Sequence, residues 1–150
     1  MIHELLAHHP DRFLSAAFGG SGVPETDSAR LASLPAEPPA PESAEQAAAT
    51  KVVQRLTAGN DTIALRALLA SPPQGRTPLD VAALRLPLLV IVGEYDQPVR
   101  RTQRLRREAR DFTSVVLPGK SHRTAAVPGF MPPEYIATLT RFIDSHDTPP

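Results

Sequence analysis

The run Leu88-Leu89-Val90-Ile91-Val92, directly after Pro87, constrains the fold more than any other stretch. A strand with one wet face alternates apolar and polar residues. This run does not alternate, so both of its faces are expected to be covered, as in a parallel sheet flanked by helices. Burying five such side chains contributes about 7–15 kcal/mol as an upper bound. Downstream, Thr102, Leu105 and Ala109, with Phe112 beyond them, mark the inner stripe of a helix spanning about 99–110. Thr113-Ser114-Val115-Val116-Leu117 then reads as a second strand. Strand, helix and strand in this order make a right-handed βαβ crossover, and the fold class is α/β.

Prolines divide the rest. The chain holds 17, and five of them follow one another between positions 24 and 41, which reads as an extended connector without helix or central strand. Before it, Ile2, Leu5, Leu6 and His9 have helical spacing, and Pro10 ends that helix. Phe13-Leu14-Ser15-Ala16-Ala17-Phe18 follows as a short strand, closed by Gly19-Gly20-Ser21-Gly22. After the connector, Ser43 and Gln46 form a capping-box start for a helix to about 58, with Val52, Val53 and Leu56 on one side. Asp61 caps a second helix carrying Ile63, Leu65, Leu68 and Leu69, which is broken at 71–75. Thr77-Pro78-Leu79-Asp80 has the chemistry of a third, short helix start. Pro132-Pro133-Glu134 opens the last helix, with Ile136, Leu139, Phe142 and Ile143 expected to face the core.

Composition narrows the function classes. A length of 150 residues suits one domain burying roughly 70% of its unfolded surface. Sixteen basic side chains balance sixteen acidic ones, which argues against nucleic-acid or membrane-surface partners. The absence of cysteine excludes disulfides, thiolate metal sites and a cysteine nucleophile. No apolar run approaches the ~18 residues of a membrane span, and Met1-Ile2-His3-Glu4 lacks the basic and apolar regions of a signal peptide. A cytoplasmic location is the expectation. No metal or cofactor is expected either. His3, His8 and His9 lack metalloprotease spacing and read as a solvated helix end, and the glycine loop lacks the lysine of a phosphate-binding motif. Arg100, Arg101, Arg104, Arg106, Arg107 and Arg110 read as a solvated helix face opposite the buried stripe.

Ligands of open α/β sheets bind beyond the carboxyl ends of the strands. Two polar loops fall there: Gly93-Glu94-Tyr95-Asp96-Gln97-Pro98 after the first strand of the crossover, and Pro118-Gly119-Lys120-Ser121-His122 after the second. An aspartate accepting a bond from a histidine Nδ1 leaves Nε2 as a general base, and Asp96 and His122 are the candidate pair. Glu94 competes for the acid role. Asp96 has a simpler use as a helix N-cap, and His122 and Lys120 as solvated loop residues.

At these residues the sequence resembles the C-terminal half of the α/β-hydrolase superfamily. The stretch from Leu86 to Val99 is similar to the family's strand and acid loop, and Leu117-Pro118-Gly119-Lys120-Ser121-His122 to its histidine loop. Glu4-Leu5-Leu6-Ala7-His8-His9-Pro10-Asp11-Arg12-Phe13, running into Phe18-Gly19-Gly20, resembles the helix after the nucleophile and the next strand. The resemblance implies a partial α/β-hydrolase fold. Residues 1–23 and 84–150 would form the core, and 24–83 a helical cap insertion covering the site. It implies a serine hydrolase cleaving an ester or related acyl bond of a small-molecule substrate, with Asp96 orienting His122. In such a cap, Leu56, Ile63, Leu65 and Leu68 would line the substrate pocket or form the cap's own core. The departure is the nucleophile: no G-x-S-x-G elbow occurs, and Ser21 is its nearest imitation, with Val23 where the second glycine belongs. The oxyanion donors belong to the same missing region. The expectation is an N-terminally truncated enzyme, inactive by itself. The alternatives are a non-catalytic remnant or interaction module that self-associates through an exposed sheet edge, and acyl-transfer or haloperoxidase chemistry on the same scaffold.

Overall fold

The computed structural model describes residues 2–70 and 77–148. β2 (Leu88–Gly93) is the middle strand of a three-stranded parallel sheet, between β1 (Ala16–Gly19) and β3 (Phe112–Leu117). Ala16 pairs with Leu88 on one side, and Leu88 with Phe112 on the other. All six residues of β2 are buried, as its unbroken apolar run requires. Side chains alternate across the sheet, so β2 feeds two cores. Leu88, Val90 and Val92 meet Leu6 of α1 (Ile2–His8), Phe18 of β1 and Leu105 of α5 (Pro98–Glu108). Leu89 and Ile91 meet Leu117 and Ala125, with Tyr135, Leu139 and Phe142 of α7 (Pro133–Asp144) packed against them. This is a parallel α/β sheet with helices on both faces.

Between β1 and β2 run α2 (Ser28–Ala32), α3 (Ala44–Thr57) and α4 (Thr62–Ala70). Ser43 caps α3 by accepting the amide of Gln46 at 3.1 Å, and Asp61 caps α4 through Ile63 and Ala64. The reciprocal half of the capping box is absent, because the Gln46 side chain is engaged elsewhere, as described below. Among the described residues, no helix is long and apolar enough to cross a membrane.

Four local expectations are corrected. Residues 24–41 are not wholly extended: no proline falls between Pro24 and Pro35, and there Asp27 caps α2 by accepting from Ala29 and Arg30. Thr77-Pro78-Leu79-Asp80 opens only a single turn, in which Asp80 accepts from the Ala83 amide. Leu79, Val81, Leu84 and Leu86 are all buried in the cluster around Leu88. In a helix Leu79 and Val81 would point roughly 200° apart, so burying both overrides the capping chemistry. On α7, Ile136 and Ile143 are solvent-exposed, while Tyr135, Leu139 and Phe142, at spacings of four and three, form the inward stripe. Finally, the stretch 13–18 contributes only its end to the sheet, since β1 begins at Ala16 and Leu14 is exposed. The helix break expected at 71–75 lies outside the described residues.

Candidate active site

Parallel pairing of β2 with β3 brings the loops at their carboxyl ends together. Backbone bonds join them: Glu94 N–H donates to Leu117 O at 3.0 Å, and Tyr95 N–H to Lys120 O at 2.9 Å. Gly93 is required at this crossing, because a Cβ there would lie 2.3 Å from Lys120 O. The chain then turns through Gln97, whose φ of 53° is unusual for a residue with a side chain, before Pro98 starts α5. That turn aims the Asp96 carboxylate across the sheet edge instead of along α5. Asp96 is therefore no N-cap. It is 4% exposed, and its Oδ2 accepts from Nδ1 of His122 at 2.8 Å.

His122 is the first residue of α6 (His122–Ala126), a short helix fixed by a reciprocal bond pair between Ser121 and Thr124. Its side chain is 60% exposed. With Nδ1–H given to Asp96, Nε2 carries the lone pair, and among the described residues it has no hydrogen-bond partner. The Asp96 hydrogen bond raises the imidazole above the ordinary histidine range, against burial and the charges of Arg101 and Arg123. The pair thus has the orientation of a general base with its acceptor nitrogen outward.

The other Asp96 oxygen is occupied by Arg101. Its Nη2 donates to Oδ1 at 2.7 Å and its Nε at 3.1 Å, while Nε also reaches Asp96 O at 2.6 Å. The solvated arginine face is thus corrected for Arg101, Arg104 and Arg107, whose side chains are partly covered, while Arg100, Arg106 and Arg110 are exposed as expected. Arg104 bonds Glu108 and the carbonyls of Leu79 and Pro24, Arg106 bonds Ser114, and Arg107 bonds Glu25 and Glu108. The Glu25 side chain is 1% exposed, and Arg107 holds its carboxyl below the usual range. Helical periodicity identified which arginines faced away from the core, but not that Pro24, Glu25 and Leu79 bind Arg104 and Arg107.

Glu94 makes no hydrogen bond or ion pair with His122; it accepts from the Gly119 amide at 2.7 Å and ties the two loops together. Lys120 is not simply solvated, since it pairs with Glu45 of α3. Ser121 donates to Gln46, and Arg123 to Thr50 at 3.2 Å. Three residues flanking His122 are therefore gripped by α3. On the acid side, Glu37 accepts the amides of Val99 and Arg100 at 2.7 and 3.1 Å, supplying the cap that Gln97 does not give α5.

The glycine loop after β1 forms another wall. Gly20 has φ of 60°, and a Cβ there would lie 2.9 Å from His122 Nδ1 and 3.2 Å from Asp96 Oδ2. A Cβ on Gly22 would lie 1.9 Å from Arg101 O. Ser21 between them is exposed and makes no hydrogen bond to His122. Arg101, Gly20 and Gly22 are the site residues the sequence reading missed. A cavity of about 190 Å³ borders this region, lined by Gly22, Pro24, Glu25, Leu31, Gln97, Arg100 and Arg101. Of the proposed pocket residues, Leu56 and Ile63 are 67% and 79% exposed and do not line this cavity, and the side chains of Leu65 and Leu68 lie outside the described set. Among the described residues, no group of His, Asp and Glu is arranged to hold a metal ion.

No protein-family model and no curated sequence matches the chain. A solved structure that it resembles is proline iminopeptidase of Mycobacterium smegmatis, an α/β-hydrolase, at 20% identity and a TM-score of 0.53. The match covers 97% of this chain and 61% of that one. The likeness is one of fold, and the chain spans about three-fifths of its structural neighbour's length. The architecture is that of a partial α/β-hydrolase fold.

Proposed function

We propose that this chain carries the acid–base half of a serine hydrolase acting on a carboxylic ester or related acyl bond, with Asp96 orienting His122 as the base. The observation that carries the reading is the 2.8 Å bond from His122 Nδ1 to a buried Asp96, which leaves Nε2 outward at the carboxyl edge of a parallel sheet. In the reaction, Nε2 takes the proton of an attacking serine hydroxyl and later delivers it to the leaving group, while Asp96 stabilises the imidazolium. No G-x-S-x-G serine lies in these 150 residues, so the nucleophile, and with it the oxyanion donors that accompany such an elbow, would be supplied by a segment outside them. The structural neighbour is by its name a peptidase, within the same acyl class.

The test is a fluorophosphonate probe together with p-nitrophenyl acetate. The 150-residue chain is expected to take no label and to show no turnover. The same chain joined in frame to a segment carrying a G-x-S-x-G elbow is expected to gain both, with turnover lost on His122→Ala. Labelling of Ser21 in the 150-residue chain would refute an external nucleophile. Turnover that survives His122→Ala would remove the base. A second reading, a non-catalytic interaction module, is favoured by the absence of a bond from Ser21 to His122. It predicts that the joined chain folds but never turns over.

A further inference from the structure

We infer that Arg101 is a positioning residue for the Asp96–His122 pair, its guanidinium fork fixing which carboxylate oxygen His122 receives. The inference deepens the proposed function, since a base is useful only when its tautomer is held. A carboxylate is symmetric and its terminal torsion is soft, so nothing within Asp96 itself selects one oxygen for the histidine. Arg101 makes that selection. Nη2 and Nε both bind Oδ1, and Nε also binds the carbonyl of the same residue. One planar group thus holds both ends of Asp96, as the rigid fork of arginine allows and the point charge of lysine does not. Oδ2 is left for His122.

The remaining sides are closed by backbone. Gly20 stands against Asp96 Oδ2 and His122 Nδ1, and Gly22 against the Arg101 carbonyl. Asp96 is 4% exposed, so little water is at hand to replace a lost partner. Sequence order supports the arrangement: Arg101 lies five residues after Asp96, and the left-handed Gln97 between them folds α5 back so that its first turn faces the carboxylate.

A purely neutralising role is the competing account, and the two differ in sign. The charged groups acting on His122 are Asp96, Arg101 and, on its own helix, Arg123. Removing only the Arg101 charge would raise the His122 pKa, because a repulsive cation is gone. Losing the Asp96 alignment would lower it, because its largest raising influence is gone. The experiment is an NMR titration of His122 in the 150-residue chain, with the signal assigned by His122→Ala. Asp96→Asn sets the value without a carboxylate, near the ordinary histidine value of about 6.5.

Arg101→Met is expected to drop His122 towards the Asp96→Asn value and to remove the downfield Nδ1–H resonance. A midpoint equal to or above that of the parent chain overturns the inference. Arg101→Lys keeps the charge without the fork and is expected to fall between the two; it carries the test if Arg101→Met does not fold, and a parent-like midpoint there also overturns the inference. The two failures separate cleanly. An Asp96→Asn chain whose His122 titrates like the parent removes the pair and the proposed function together. A normal Asp96→Asn response with an unmoved Arg101→Met removes the positioning role alone.

Discussion

Every residue of β2 is buried, whereas α3, more than twice as long, buries one side chain, Ala49, and leaves Leu56 exposed. The sheet is a product of apolar area, with β2 filling two cores at once. The segment carrying α2, α3 and α4 is attached differently, through directional polar bonds: Glu25 to Arg107, Glu37 to the start of α5, and Glu45, Gln46 and Thr50 to Lys120, Ser121 and Arg123. Of these, the exposed ion pair Lys120–Glu45 contributes about 0–1 kcal/mol and weakens with salt. The contrast teaches where each part of the site gets its support. The positions of Asp96 and His122 are set by the sheet, and the covering segment adds alignment at their flanks.

The contrast is sharpest in the sheet. Ile91→Ala should cost about 2–5 kcal/mol by urea unfolding, while Leu56→Ala stays within about 0.5 kcal/mol. Equal losses would erase the distinction. Gly93→Ala comes next, forcing a methyl against the Lys120 carbonyl, and an overpacking penalty of about 1–3 kcal/mol is expected. It should also shift the His122 resonances in NMR, because it parts the two loops. Glu37→Ala removes a helix cap borrowed from a distant segment and should cost about 1 kcal/mol by the same unfolding assay. Its signature is faster limited proteolysis within 25–70 with the sheet unchanged; equal acceleration in both would argue that the segment is no separate layer.

The smallest effect is on pH. His122 binds its proton more tightly folded than unfolded, so its contribution is full below about 6.5 and is lost as pH rises through the higher folded value. Denaturant midpoints measured across that window should fall with pH in the parent chain, and less so in Asp96→Asn. A parallel slope in both would mean that the pair contributes nothing to folding.

What the sequence disclosed follows from how local each signal is. β2 was legible because five apolar residues in a row admit few environments, and α3 because its cap lies three residues from its partner. Asp96 and His122 were legible because topology places strand ends together. Arg101 was not: its partner is five residues away across a left-handed residue, and helical periodicity describes only faces. Glu37, Glu45 and Gln46 bind residues some 60 to 80 positions distant, beyond any local pattern. The start of α6 did carry a signal, Ser121 with Thr124 three residues on, hidden because His122 reads first as loop chemistry. On α7 the apolar residues form two adjacent stripes, and only packing decides that Leu139 and Phe142 go inward and Ile136 outward.

The pairing of Ala16 with Leu88 has a kinetic consequence. Before β1 can join β2, the chain must close a loop of roughly 70 residues, at an entropic cost of roughly 4 kcal/mol. Gly20 reaches His122 only through that closure, so the site belongs to the slow, non-local part of folding. Because the cost grows only logarithmically, doubling the loop adds about 0.6 kcal/mol. The length of the intervening segment is therefore almost unconstrained, while the few residues in it that bind α5 and the histidine loop are not.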